Sequence, residues 1–429
     1  MKIFRKYGAL TVVAVVTLVL GVFVPDAQLK RIIFGVGLIW FIASVLVERY
    51  GRKTSHYAKS KGFDHGDAEI FEDLMATFDD IDLIEKVPVA VLNYYRDKLK
   101  GTDFSFFEAG GREFPIIKKE SWTPNPLEFP QGIYPELKLL KGRNNKINDN
   151  SAFGDIYIKA AREKGQLIEP NDLYALDKIS EVDSSGVVTL EVKISDYDKF
   201  VRASQILNPE LLLHLKRMST TNNSVSASLA KKRFGLKLRD QIKVGEFGNY
   251  VCKIGLNILT VERNIDGDRF FIMKRENMNK VRPLEYPNAN HVVPAGTVQP
   301  GALGKAFDSH EGDDDLSLKN TLYREFAEEL FGEETVHQDR LKESHESGEV
   351  KFIITGMGID AGSQKFEIAA LLVTPDSYMT GFRSAKKEGS NQVVNRDELI
   401  KLATEVKKII PAGAMAIFQG LKYLDSIPR

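Results

Sequence analysis

Three carboxylates in the segment TLYREFAEELFG, Thr321 to Gly332, are spaced for chemistry: Glu325, Glu328 and Glu329 stand at i, i+3 and i+4. On a helix turning roughly 100° per residue, Glu328 lies about 60° to one side of Glu325 and Glu329 about 40° to the other. Tyr323, Phe326 and Leu330 gather on an adjoining apolar face. Like charges at this spacing repel by roughly a few tenths of a kcal/mol per pair. Hard oxygen ligands on one patch suit Mg2+, which would remove the repulsion and bridge to the oxygens of a phosphorylated ligand. Arg324, about 100° from Glu325, is placed to hold that carboxylate by a paired guanidinium contact. The plain alternative is a solvated acidic face, because R-E-x-x-E-E also arises on ordinary surface helices.

Such a helix needs a scaffold, and the flanking sequence supplies one. YVCKIGLNILTVER and DRFFIMKREN read as strands separated by a turn at Asn264–Asp268. HVVPAGTVQPG and a polar loop lead into the glutamate helix. KFIITGMGID and KFEIAALLVTP are again strand-like, and NRDELIKLATEVKKII and GAMAIFQGLKYLDS read as closing helices. The result is a mixed α/β layered domain. Lys274 and Arg275 end the second strand, with Lys280 and Arg282 beyond; they either meet phosphates or form a solvated strand edge. Glu388, in SAKKEGSN, is a candidate general base or plain surface charge.

The order strand, strand, P-A-G, loop, R-E-F-A-E-E helix, strand resembles the Nudix superfamily, whose box reads G-x5-E-x7-R-E-U-x-E-E-x-G-U, with U a bulky aliphatic residue. Arg324 to Glu329 match the core of that box, with Phe326 at the aliphatic place, and Pro294-Ala295-Gly296 resembles the family's P-G-G. The resemblance implies an α+β Nudix-like sandwich over 246–429. It implies Glu325, Glu328 and Glu329 as ligands of Mg2+ or Mn2+, and Glu325, Glu329 and Arg324 as the catalytic group. Lys274, Arg275 and Gly296 would face the ligand. There are departures. Leu316 stands where the box has its first glutamate, His310 stands where it has glycine, and Gly332 comes one residue late. Glu311 and Asp313 to Asp315 could supply the missing acid, though Asp315 would serve equally as a helix N-cap.

The formal net charge is zero, which argues against a protein that coats a nucleic-acid duplex. The balance is uneven. Residues 1–61 hold ten Lys/Arg against Asp26 and Glu48, a net of +8, so the remainder carries −8. Within that basic end, residues 8–24 and 32–47 are free of charge. As helices they would each span most of a hydrocarbon core of about 30 Å. We expect a transmembrane hairpin in preference to a signal peptide or a pair of buried helices. Basic flanks on both sides place both termini in the cytoplasm. The single cysteine, Cys252, can form no intrachain disulfide and reads as a small buried hydrophobe.

Residues 62–245 read as an α+β middle region without a catalytic constellation. It contains helices around Pro88, an alternating strand at Val187–Ile194, and a short helix in ILNPELLLHLKRM with Asn208 as N-cap and Pro209 at the first helical position. Trp122 is expected to pack. The combination of hairpin, middle region and Nudix-like domain resembles the two-transmembrane Nudix effectors of bacterial cyclic-oligonucleotide-based antiphage signalling (CBASS). That resemblance implies a multi-pass protein of the bacterial inner membrane that binds a nucleotide or cyclic oligonucleotide, forms homo-oligomers and disturbs membrane lipid. The competing expectation is a membrane-anchored Nudix hydrolase of nucleoside diphosphate derivatives.

Overall fold

A computed structural model describes residues 65–427, apart from the stretches 144–151, 221–246, 248–250, 275–288, 301–315 and 383–389 and a few shorter breaks. The expected membrane spans lie outside the described residues, as do Arg275, Lys280, Arg282, Glu311, Asp313 to Asp315 and Glu388. Among the described residues no helix is long and apolar enough to cross a membrane. Residues Glu69–Arg429 make one compact unit.

The first described elements are three helices, α1 (His65–Thr77), α2 (Ile81–Ile84) and α3 (Val87–Leu99). Pro88 sits in the first turn of α3, where its missing N–H costs nothing. The hairpin β1 (Phe104–Ala109) and β2 (Arg112–Lys119) follows, then β3 (Tyr134–Arg143), α4 (Ala152–Glu163), β4 (Asp172–Ile179) and β5 (Val187–Asp196). Two helices, α5 (Tyr197–Ala203) and α6 (Leu207–Thr220), complete the middle region.

The C-terminal region begins with β6 (Cys252–Glu262), β7 (Arg269–Lys274), β8 (Asn290–Val292) and β9 (Ala295–Thr297). Next are α7 (Leu318–Phe326), which continues as a π turn through Ala327–Phe331, and α8 (Val336–Glu346). Strands β10 (Lys351–Asp360), β11 (Lys365–Thr374) and β12 (Ser390–Val394) precede α9 (Arg396–Thr404) and α10 (Pro411–Ser426). Asn395 and Glu398 form a reciprocal capping box at the start of α9.

The strand order through the sheet is β1-β2-β10-β11-β6-β4-β5-β3, with β7, β8, β9 and β12 joined to its β6 side. β6 is the spine. All eleven of its positions are buried, as a strand covered on both faces requires. It runs parallel to β11 from Ile254 beside Phe366 to Glu262 beside Thr374. Helix α10 lies over this pair, and Ala414, Met415, Ile417 and Leu421 join Leu259, Val261, Leu371 and Val373 in one core. Each such aliphatic side chain contributes about 1.5–3 kcal/mol on full burial.

The strands of the middle region hydrogen-bond into the same sheet. Ala175 and Leu176 of β4 pair with Lys253 and Cys252 of β6. Ile117 and Ile116 of β2 pair with Ile359 and Asp360 of β10. Trp122 is buried with its ring edge-on to Phe104 (5.5 Å) and to Phe366 of β11 (5.7 Å), the packing role expected for it. Cys252 is likewise buried, with its thiol toward the carbonyl of Gln364.

Candidate functional site

The glutamate helix starts at Ser317, whose hydroxyl accepts the N–H of Lys319 and so serves as the N-cap in the neighbourhood where Asp315 was considered. Regular α-geometry runs to Phe326. From Ala327 to Phe331 the helix widens into a π turn, which closes at Gly332 in the left-handed conformation (φ 68°). A π turn carries one residue more than the α turn it replaces. The late glycine noted in the sequence therefore still falls where the helix ends.

Glu325 and Glu329 face inward and are each 8% exposed, whereas the Glu328 side chain is 44% exposed. On the wheel Glu328 lies nearly opposite the apolar face that holds the helix against the sheet, so it is the glutamate left at the rim. All three carboxylates line one cavity, Glu325 and Glu329 buried in its wall and Glu328 at its exposed rim. The main-chain N–H of Ala295 donates to Glu329 Oε2 at 2.7 Å. Gly296, on the same strand, is crossed so closely by Glu325 that a Cβ there would lie 1.9 Å from Glu325 Oε1. P-A-G is therefore the cradle for two glutamates, and only glycine allows the closer approach. Asn391 of β12 fixes the helix from behind by donating to the main-chain carbonyl of Glu329 at 2.8 Å.

Arg324 ties these parts together. Its Nη2 is 2.6 Å from Glu325 Oε1 and donates to the Thr297 carbonyl at 3.2 Å, while Nη1 reaches Glu328 Oε2 at 3.5 Å. The sequence suggested a paired contact with Glu325, and one guanidinium nitrogen makes it while the other reaches Glu328. The Arg324 Nε, by contrast, is buried without a hydrogen-bond partner.

These residues form one wall of a cavity of about 290 Å³. A second wall is built by β6 and β11. Asn257 Nδ2 donates to Glu367 Oε2 at 2.8 Å, and Glu367 lies across Gly255. Burial pushes the Glu367 carboxyl above the ordinary carboxylate range, against the opposing pull of Lys365. Asp360, held by Ser363 Oγ at 2.7 Å, is raised for the same reason. Lys365 is the cation on this side.

Lys274 is at the exposed end of β7 and is not part of the cavity wall. Of the residues expected to face the ligand, Gly296 lines the cavity and Arg275 lies outside the described residues. Sequence reasoning missed Lys365, Glu367 and Asn257. Glu367 had a usable signal: it is the one acid inside the apolar strand KFEIAALLV. The middle region also contributes Gln205 and Asn208 to the cavity. Asn208 was expected to cap α6, but its Oδ1 accepts no hydrogen bond and its amide lines the cavity.

The donor set is of the hard-oxygen type that Mg2+ takes. Its arrangement is another matter. Among the described residues no three Asp, Glu, His or Cys side chains are grouped to hold a metal ion. Arg324 engages Glu325 and Glu328, and the Ala295 N–H engages Glu329.

No protein-family model matches the chain, and no curated protein matches it. Among solved structures it is similar to a C. elegans Ap4A hydrolase in a binary complex, at 12% identity over 41% of this chain and 99% of that one, with a TM-score of 0.24. It is also similar to a NUDIX hydrolase from Alicyclobacillus acidocaldarius, at 13% identity over 39% of this chain and 90% of that one, with a TM-score of 0.26. The described chain is thus a mixed α/β, sheet-rich body with Nudix hydrolases among the solved structures it is similar to.

Proposed function

We propose that the cavity receives the phosphate-bearing part of a nucleotide and that residues 246–429 act as a Nudix-like nucleotide-binding domain. In this reading the protein is a membrane-anchored effector of antiphage defence. A nucleotide or cyclic-oligonucleotide signal binds on the cytoplasmic side of the bacterial inner membrane. Binding drives homo-oligomerisation, and the hairpins at 8–24 and 32–47 then disturb the lipid. Ligand binding can do this only by favouring the assembled state over the resting one.

The observation that carries the nucleotide part is Arg324. Its guanidinium is fixed by Glu325 and Thr297 at the cavity wall, and its buried Nε–H lacks a partner. An unpaired buried donor is costly, and an anionic oxygen is the partner that best offsets that cost. The membrane and defence parts rest on the uncharged, basic-flanked segments and on the architecture they resemble.

A second reading is a membrane-anchored, Mg2+-dependent Nudix hydrolase of nucleoside diphosphate derivatives. It is favoured by the retention of both Glu325 and Glu329 in the P-A-G cradle. Full-length protein in detergent micelles, incubated with Mg2+ and a panel of dinucleotides and cyclic oligonucleotides, separates the two. Tight binding with a rise in oligomer mass and no turnover supports the effector. Turnover lost in Glu329→Gln supports the hydrolase. Neither binding nor turnover across the panel removes both.

A further inference from the structure

We infer that Gln205 and Asn208 form the second half of the ligand site and read the hydrogen-bonding edge of the group attached to the phosphates, a nucleobase. This extends the phosphate reading of the same cavity and rests on it. Neither residue belongs to the glutamate motif or to the C-terminal region. Gln205 lies two residues past the end of α5, and Asn208 lies in the first turn of α6.

Gln205 is 4% exposed, and its Oε1 is buried without a hydrogen-bond partner; Asn208 Oδ1 is in the same condition. Buried polar atoms in native proteins are overwhelmingly paired, so two orphaned amide oxygens in one cavity wall point to an absent donor. Their positions are fixed from outside. The Ser204 hydroxyl donates to the carbonyl of Val251, at the start of β6. The Lys253 ammonium lies over the rings of Tyr197 (5.1 Å) and Phe200 (5.6 Å), which clamps α5 against that strand. The main-chain N–H of Gln205 donates to Phe200 O at 3.2 Å. Asn208 lies against Gly362 in the β10–β11 turn. These amides are therefore preorganised, and holding them unpaired has no evident packing benefit.

A primary carboxamide presents one acceptor and two donors in a plane. That matches the amine-and-nitrogen edge of a base, the pairing by which Asn and Gln read adenine. Phosphate oxygens, which only accept, cannot satisfy a free amide oxygen. A cavity of about 290 Å³ is near the small end of ligand sites, so a single nucleotide unit can meet Arg324 and the two amides together.

The test is calorimetric titration of the full-length protein in detergent micelles with Mg2+, using ADP, GDP, UDP, CDP and inorganic pyrophosphate as probes. Wild type should prefer one base over the weakest by roughly tenfold or more, the size of a good amide–base contact. Gln205→Met and Asn208→Ala should each reduce that preference to about twofold or less. Pyrophosphate affinity and melting temperature should stay at their wild-type values. Gln205→Glu, which keeps an acceptor, should retain the ranking for the amine-bearing base. Arg324→Ala should lose pyrophosphate and nucleotides alike. Wild-type binding of pyrophosphate with equal affinity for all four bases overturns this inference and leaves the phosphate site standing. An unchanged base ranking in both amide variants does the same. Failure to bind any probe, pyrophosphate included, overturns the phosphate reading and this inference with it.

Discussion

The middle and C-terminal regions contribute strands to one sheet and residues to one cavity, yet they announce themselves very differently. The C-terminal region places its chemistry on one helix, so the spacing of Arg324, Glu325, Glu328 and Glu329 is readable from order alone. The middle region reaches the same cavity through the junction of two unremarkable helices. Gln205 and Asn208 acquire meaning only when α5 is seated on β6 by Lys253 and Ser204. Local periodicity writes a motif into sequence. Tertiary placement does not.

The largest test of this comparison is Trp122→Ala, because Trp122 is the middle-region side chain that packs on Phe366 of the C-terminal region. Losing a buried tryptophan should cost about 3–5 kcal/mol. Chemical denaturation should still show a single transition at lower midpoint, and two separated transitions would show that the regions fold independently. Next in size is Gly296→Ala. A Cβ there would collide with Glu325, costing about 1–3 kcal/mol of overpacking. Nucleotide affinity, read by titration, should fall more than stability does, because the displaced carboxylate is the site's own.

Arg324→Lys should cost about 1–2 kcal/mol, since an ammonium cannot span Glu325, Glu328 and the Thr297 carbonyl as the guanidinium does. Thermal melting measures it, and wild-type stability would show those contacts to be idle. The smallest effect concerns Glu367. Its carboxyl is raised in the fold by burial, so the folded state keeps this proton to higher pH than the unfolded state does. Stability should therefore fall as pH rises upward from the ordinary carboxylate range. Glu367→Gln should flatten that fall and gain on wild type at neutral pH, as denaturant midpoints across a pH series would report.

Much of the fold was legible. The alternating strand at Val187–Ile194, the buried strands β6 and β11, and α10 appear where composition and periodicity put them. The P-A-G segment and the glutamate helix, both singled out in the sequence, meet through the Ala295–Glu329 and Gly296–Glu325 contacts. Three things were not legible. The unequal burial of the glutamates depends on which side of the helix faces the sheet. The π turn depends on a local hydrogen-bond choice. Lys274 looked apt beside phosphates because it ends a strand, but it is not among the residues that line the cavity, and Lys365 from β11 is.

The shared sheet has a practical consequence for anyone cutting the chain. A fragment beginning near residue 246 would strip β4 from the start of β6 and β2 from the end of β10. Both would be left as raw strand margins, with backbone donors and acceptors open to the next molecule. Such a piece should clump in solution, whereas a fragment starting before Glu69 would keep those margins covered.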